Sequence, residues 1–111
     1  MDDLHNKNCI PCRGGIPKLD ISEIHKYLKK VDGWDVKKKE EIYFLERNFK
    51  FNNFLESQVF INKVGDLAEK EGHHPDIWFG WGYAKIKIFT HAINGLAESD
   101  FILAAKIDKI S

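Results

Sequence analysis

The sequence predicts an α+β fold: a four-stranded antiparallel sheet with three helices on one face, in the order α-β-β-α-β-β-α. Two observations predict it. Apolar residues recur at helical spacing in three separate stretches, and each gap between those stretches holds a pair of β-favouring segments. No long crossover separates the four strands, which favours antiparallel neighbours with the helices gathered on one side. A chain of 111 residues suits one such domain and leaves no room for a second independent core.

Residues 1–18 read as an N-terminal arm, with Cys9-Ile10-Pro11-Cys12, Gly14-Gly15 and Pro17 arguing for an extended or looping path. The domain proper is expected over 19–111. Its first helix should begin near Ser22, capped by Ser22 or Asp20; Ile21, Ile24, Leu28 and Val31 fall at helical spacing, and Gly33 ends it. Trp34 to Asn48 reads as a hairpin, with Tyr43 and Phe44 among its β-favouring residues and the charged 37–41 region as its turn. Asn52 or Asn53 is placed to cap a long second helix running to about Glu71. Its stripe is Phe54, Ile61, Val64, Leu67 and Ala68, and Gly72 is its stop. Such a helix spans roughly 30 Å at 1.5 Å per residue, enough to cross a small domain.

An aromatic segment follows, and then the clearest strand. From Ala84 to Thr90, Ala84, Ile86, Ile88 and Thr90 fall on one face, with Lys85, Lys87 and Phe89 on the other. A last helix from about Glu98 to Ile110 should bury Phe101, Ile102, Ala105 and Ile107.

The bulk composition narrows the function classes. Hydrophobic residues at 43% and charged residues at 31% describe a globular chain rather than a disordered one. Lys+Arg and Asp+Glu are both 17, so the net charge is zero, and the single basic run, Lys37-Lys38-Lys39, is followed at once by Glu40-Glu41. A nucleic-acid partner is not expected from that balance. The opening residues are acidic and polar, and apolar runs are only a few residues long. No membrane association is therefore expected, and a cytoplasmic location is. The two cysteines are too few for a disulfide scaffold, and Cys9-x-x-Cys12 alone is half a zinc site.

The chemistry-bearing residues concentrate late in the chain. Glu69 is followed by His73-His74-Pro75, Trp78, Thr90-His91, Gly95-Leu96 and Asp100, so that three of the five histidines lie in one region. Pro75 pulls His74 away from helical geometry. Adjacent side chains in an extended segment point to opposite sides, so His73 and His74 need not face one site together. His91, at a strand end, meets them if the preceding strands form a hairpin.

This segment resembles the signature of the pterin-4a-carbinolamine dehydratases, known in animals also as the dimerization cofactor of a homeodomain transcription factor. That signature is an acidic residue, three spacers, His-His-Pro, an aromatic, Thr-His, and Gly-Leu followed by Asp. The resemblance extends back through Gly33-Trp34 and covers about residues 20–110. It implies a 4a-hydroxytetrahydropterin substrate, dehydrated to a quinonoid dihydropterin and water in support of tetrahydropterin recycling. It also implies a homo-oligomer, dimer or tetramer, and a pathway link to aromatic amino acid hydroxylases. His73, His74 and His91 would act around the 4a-hydroxyl by general acid/base catalysis, because imidazole, with a free pKa of about 6.5, gives or takes a proton near neutrality. Neither metal nor cofactor is expected, the pterin being substrate. Glu69, Pro75, Trp78, Trp34 and Asp100 are the substrate-binding candidates. For the two tryptophans a core role is an equal expectation, and for Asp100 so is simple stabilisation of a helix N-terminus. Ala97 departs from the Ser or Thr that relatives often carry as the cap before that acid.

Three other readings compete. A non-catalytic dimerization module would not require all three histidines. Handling of another pterin, such as a molybdopterin-type cofactor, is not separated by these residues from the hydroxylase-linked role. A metal enzyme is disfavoured because His73 and His74 lack the i, i+4 spacing that lets helical imidazoles share an ion.

Overall fold

Each helix and strand is closed by chemistry visible in its own residues. The computed structural model describes residues 4–7 and 17–111; Cys9 and Cys12 lie outside the described residues. The elements are α1 (Ile21–Leu28), β1 (Asp35–Lys39), β2 (Ile42–Lys50), α2 (Phe54–Glu71), β3 (Asp76–Gly80), β4 (Tyr83–Ile88) and α3 (Glu98–Ile110), with 3-10 turns at Leu4–Asn6 and His91–Ile93. The order α-β-β-α-β-β-α is the predicted one.

Asp20 caps α1 through a reciprocal capping box: its carboxylate accepts from Glu23 N at 2.8 Å, and the Glu23 carboxylate accepts from Asp20 N at 3.1 Å. The helix stops at Leu28 rather than at Gly33. Lys30 and Val31 instead make tight turn bonds back to Tyr27 and Leu28, and Val31 is buried from within this connection. Gly33 (φ 85°) serves the approach of Arg47, whose guanidinium carbon lies 2.7 Å from where a Cβ would stand. The β1–β2 turn is only Glu40-Glu41, both in the left-handed region, and the three lysines expected in it belong to β1.

Asn53 caps α2, accepting from Glu56 N at 2.8 Å. The buried stripe is Ser57, Phe60, Val64 and Ala68. Phe60 belongs to it and Phe54 does not, because Phe54 opens the helix at the surface, 46% exposed against the Phe79 ring. Gly72 ends α2 in the left-handed conformation, and both its N–H and that of His73 return to the Ala68 carbonyl.

The sheet order is β1-β2-β4-β3, antiparallel throughout. Register places Val36, Leu45 and Ile88 in one inward row and Phe49, Ala84 and Phe79 in another, beneath the helices. The opposite face carries Lys85 and Lys87, whose ammonium groups stand over the rings of Trp78 and Phe44. α3 is the most enclosed helix. Phe101, Ile102, Leu103, Ala104 and Ile107 are all buried, whereas Ala105 is only partly so. Removing a side chain such as Phe101, fully buried and stacked on Tyr27 at 5.1 Å, would cost about 3–5 kcal/mol. Leu4 of the N-terminal turn is also buried in this core, at 2% exposure.

Candidate functional site

Three chain reversals meet at one end of the sheet. The glycine stop of α2 delivers His73 and His74 directly before β3, while β4 ends at Ile88 and passes through Phe89 and Thr90 into the His91–Ile93 turn. Paired backbone bonds between Thr90 and Gly95, at 2.9 and 3.4 Å, fold that turn back so that α3 begins beside it. Between segment 72–76 and residues Phe89, His91 and Ala92 lies a cleft of about 430 Å³. That volume is within the range of small-molecule sites.

The two adjacent histidines part, as an extended pair should. His73 is 5% exposed and turns inward, its Nε2 at 2.6 Å from Asp100 Oδ1. Asp100 is fully buried, and its second oxygen accepts from Thr90 Oγ1 and from Ala97 N, each at 2.8 Å. One carboxylate thus satisfies a histidine, a hydroxyl and a helix N-terminal amide, which makes burial of its charge tolerable. Ala97 supplies no capping side chain, but Asp100 accepts from its backbone N–H, so α3 begins without the usual Ser or Thr. His74 lies out at the surface, with its Nε2 on Glu69 Oε2. His91 is exposed on the cleft wall, its ring 4.1 Å from that of Phe89 and tilted by 42°.

The structure therefore brings His73, His74, Pro75 and His91 to one cleft. Asp100 stands behind it as the partner of His73, and Glu69, exposed at the surface, is the partner of His74. Trp78 stands on the outer sheet face, 45% exposed, with the Lys85 ammonium 4.5 Å from its ring centroid. Trp34 is not brought to the cleft. It precedes β1, which β2 and β4 separate from β3, and it is buried with its Nε1 donating to Asp108 Oδ1 at 2.9 Å. Asp108 also accepts from Arg47 at 2.8 Å. Partial burial raises the Asp108 carboxyl above the usual range, against the lowering effect of Trp34 and Arg47. Trp34 is thus a core residue that ties α3 to the sheet.

Sequence reasoning placed Thr90 in the cluster without giving it a site role, and passed over Phe89. The signal for Thr90 was present: a hydroxyl among Ala84, Ile86 and Ile88 on a buried face must find a partner. Among the described residues, no three His, Cys, Asp or Glu side chains converge as metal ligands.

Comparison with known proteins places this arrangement among relatives. Residues 17–110 match the family Pterin 4 alpha carbinolamine dehydratase. A protein of Rubrobacter xylanophilus, provisionally named pterin-4-alpha-carbinolamine dehydratase, is 48% identical over 110 residues, covering 99% of this chain and all of that protein. A Methylococcus capsulatus protein with the same provisional name is 50% identical over 108 residues, covering 97% of this chain and 93% of that one. Among solved structures, a transcriptional coactivator/pterin dehydratase from Brucella melitensis superposes with a TM-score of 0.76 at 31% identity, over 85% of this chain and 98% of that one. A pterin dehydratase-like protein identified as a RuBisCO assembly factor in the alpha-carboxysome superposes with a TM-score of 0.61 at 26% identity, over 70% of this chain and 88% of that one.

Proposed function

The chain belongs to the pterin 4 alpha carbinolamine dehydratase family, and on that premise we propose that it converts a 4a-hydroxytetrahydropterin to the quinonoid dihydropterin and water. The single observation that carries this reading is the convergence of His73, His74 and His91 on one cleft beside the Phe89 ring. The reaction asks for two proton transfers. The hydroxyl on carbon 4a departs as water once a proton reaches its oxygen, and the neighbouring ring nitrogen gives up its own proton as the double bond forms. Imidazoles on opposite walls of a cleft suit both tasks near neutrality, and such catalysis contributes about 10² to 10⁴ in rate. Phe89 offers a flat apolar surface to the heterocycle. The reading requires no metal and no cofactor beyond the pterin itself.

With this activity go a role in tetrahydropterin recycling alongside aromatic amino acid hydroxylases, a cytoplasmic location and a homo-oligomeric state. Exposed Leu55 and Val59 on α2, beside a groove that reaches Ile110, support self-association. A non-catalytic binding role, as the names of the two solved neighbours raise, would give the gathering of three histidines at one cleft no task. The test is the decay of enzymatically generated 4a-hydroxytetrahydropterin, followed by absorbance with chelator present. The proposal expects decay well above the spontaneous rate, in proportion to protein; a rate equal to the spontaneous one would refute it.

A further inference from the structure

We infer that Thr90 is a positioning residue that sets both cleft histidines, an inference that rests on the dehydratase reading for its consequence in rate but not for its geometry. The argument begins at Asp100. An ionised carboxylate only accepts hydrogen bonds, and Oδ2 is already occupied by the Thr90 hydroxyl and the Ala97 amide. With Asp100 ionised, the proton in the 2.6 Å contact with His73 comes from the ring, which puts the hydrogen of a neutral His73 on Nε2. Two donors on Oδ2 also fix the carboxylate's rotation, and through it the plane of the imidazole. Without the hydroxyl, Ala97 N–H alone would hold Oδ2, and the carboxylate could turn.

Thr90 acts on His91 by a second route. Its side chain is 3% exposed and points inward, and its backbone is pinned on both sides by Gly95. Neighbours of an inward residue in an extended segment turn outward. Phe89 and His91 are those neighbours, and both line the cleft. One buried hydroxyl thus sets the orientation of His73 through Asp100 and anchors the segment that presents His91. Thr90 is buried and does not line the cleft, so its loss should appear in kcat rather than in KM.

The experiment compares Thr90→Val, which keeps the shape and removes the hydroxyl, with Thr90→Ser, which keeps the hydroxyl. Both are measured below their own melting transitions in the full chain. Two readouts are taken: steady-state dehydration kinetics, and the nitrogen-15 shifts of the His73 ring. Thr90→Val should lower kcat about tenfold, as loss of a partner that orients a histidine typically does, with KM within about twofold of wild type. Its His73 ring signals should shift as the contact with Asp100 loosens, and Thr90→Ser should restore both. Wild-type kcat with an unmoved His73 signal in Thr90→Val would overturn the inference, as would equal impairment of a folded Thr90→Ser. Should the wild type show no dehydration while the His73 signals still respond to Thr90→Val, the positioning role stands and the dehydratase reading alone falls.

Discussion

Asp100→Asn puts the buried network under the most informative stress. The amide offers one acceptor oxygen where the carboxylate offers two. Thr90 and Ala97 both donate to Oδ2, and the Ala97 N–H cannot turn away, so the amide oxygen must take that place. The NH₂ group then faces His73 Nε2, which can no longer donate, and neutral His73 must move its proton to Nδ1. Energetically, three bonds to a charged acceptor, worth about 1.5–3 kcal/mol each, become neutral ones worth about 1 kcal/mol. Relief of a buried charge offsets part of that loss. The net destabilisation expected is about 1–3 kcal/mol, which for a domain of this size lowers Tm by roughly 5–15 °C. The chemical step should suffer more than stability does. The equivalent exchange in a Ser-His-Asp triad, which also forces the wrong tautomer, lowers kcat about 10⁴-fold. Here a loss of about 10² or more is expected, because His73 shares the cleft with two other imidazoles. Thermal melting, nitrogen-15 spectra of His73 and dehydration kinetics on one preparation decide the matter. A variant with wild-type Tm, an Nε2–H His73 and kcat within about twofold of wild type would refute the reasoning.

Other parts of the molecule make separate predictions. Trp34→Phe removes an indole bond to Asp108 far from the cleft, so stability should fall by about 1–2 kcal/mol in urea unfolding while kcat stays near wild type; a large fall in kcat would return Trp34 to the site. Replacing Glu40-Glu41 by Asn-Gly relieves two left-handed non-glycine residues in a two-residue hairpin turn. It should raise stability by about 1 kcal/mol in the same assay, and an unchanged midpoint would count against backbone strain there. Asp108 has a raised carboxyl in the folded chain, so the folded state holds that proton more tightly than the unfolded state. Its contribution is full below the unfolded value of 3.8 and is lost as pH rises through the raised folded value. Asp108→Asn removes this titration, so wild-type stability relative to the variant should decline as pH rises through that window. Denaturant midpoints across the acid range would show it, and a difference that grew with pH would contradict the assignment.

Much of this architecture was legible before any coordinates because local signals agreed with one another. Asn53 and Gly72 mark both ends of α2, and the alternation through Ala84, Ile86, Ile88 and Thr90 marks the buried face of β4. The misplacements have local causes. The 37–41 turn looked too long because three lysines read as loop, yet β1 is an edge strand whose Asp35, Lys37, Lys38 and Lys39 all reach solvent. Phe54 looked like core because spacing says nothing about where a helix emerges from the protein. At the site, the histidines were visible as a cluster, but their division was not. That His73 turns in to Asp100 while His74 turns out to Glu69 depends on how α3 docks beside the β4 end, a contact between residues 27 apart in sequence. For Trp34 the sequence left a substrate wall and a core place as equal expectations. Its bond to Asp108, 74 residues away, holds it in the core.

The measurement that tests the central claim most directly is the initial rate of 4a-hydroxytetrahydropterin dehydration by wild type, His73→Ala and His91→Ala, each confirmed folded by melting and with chelator present. The account predicts catalysis by the wild type and a fall of at least about 10²-fold in each variant, from opposite walls of the same cleft. Wild-type rates in both folded variants would contradict it and move the chemistry away from this cleft.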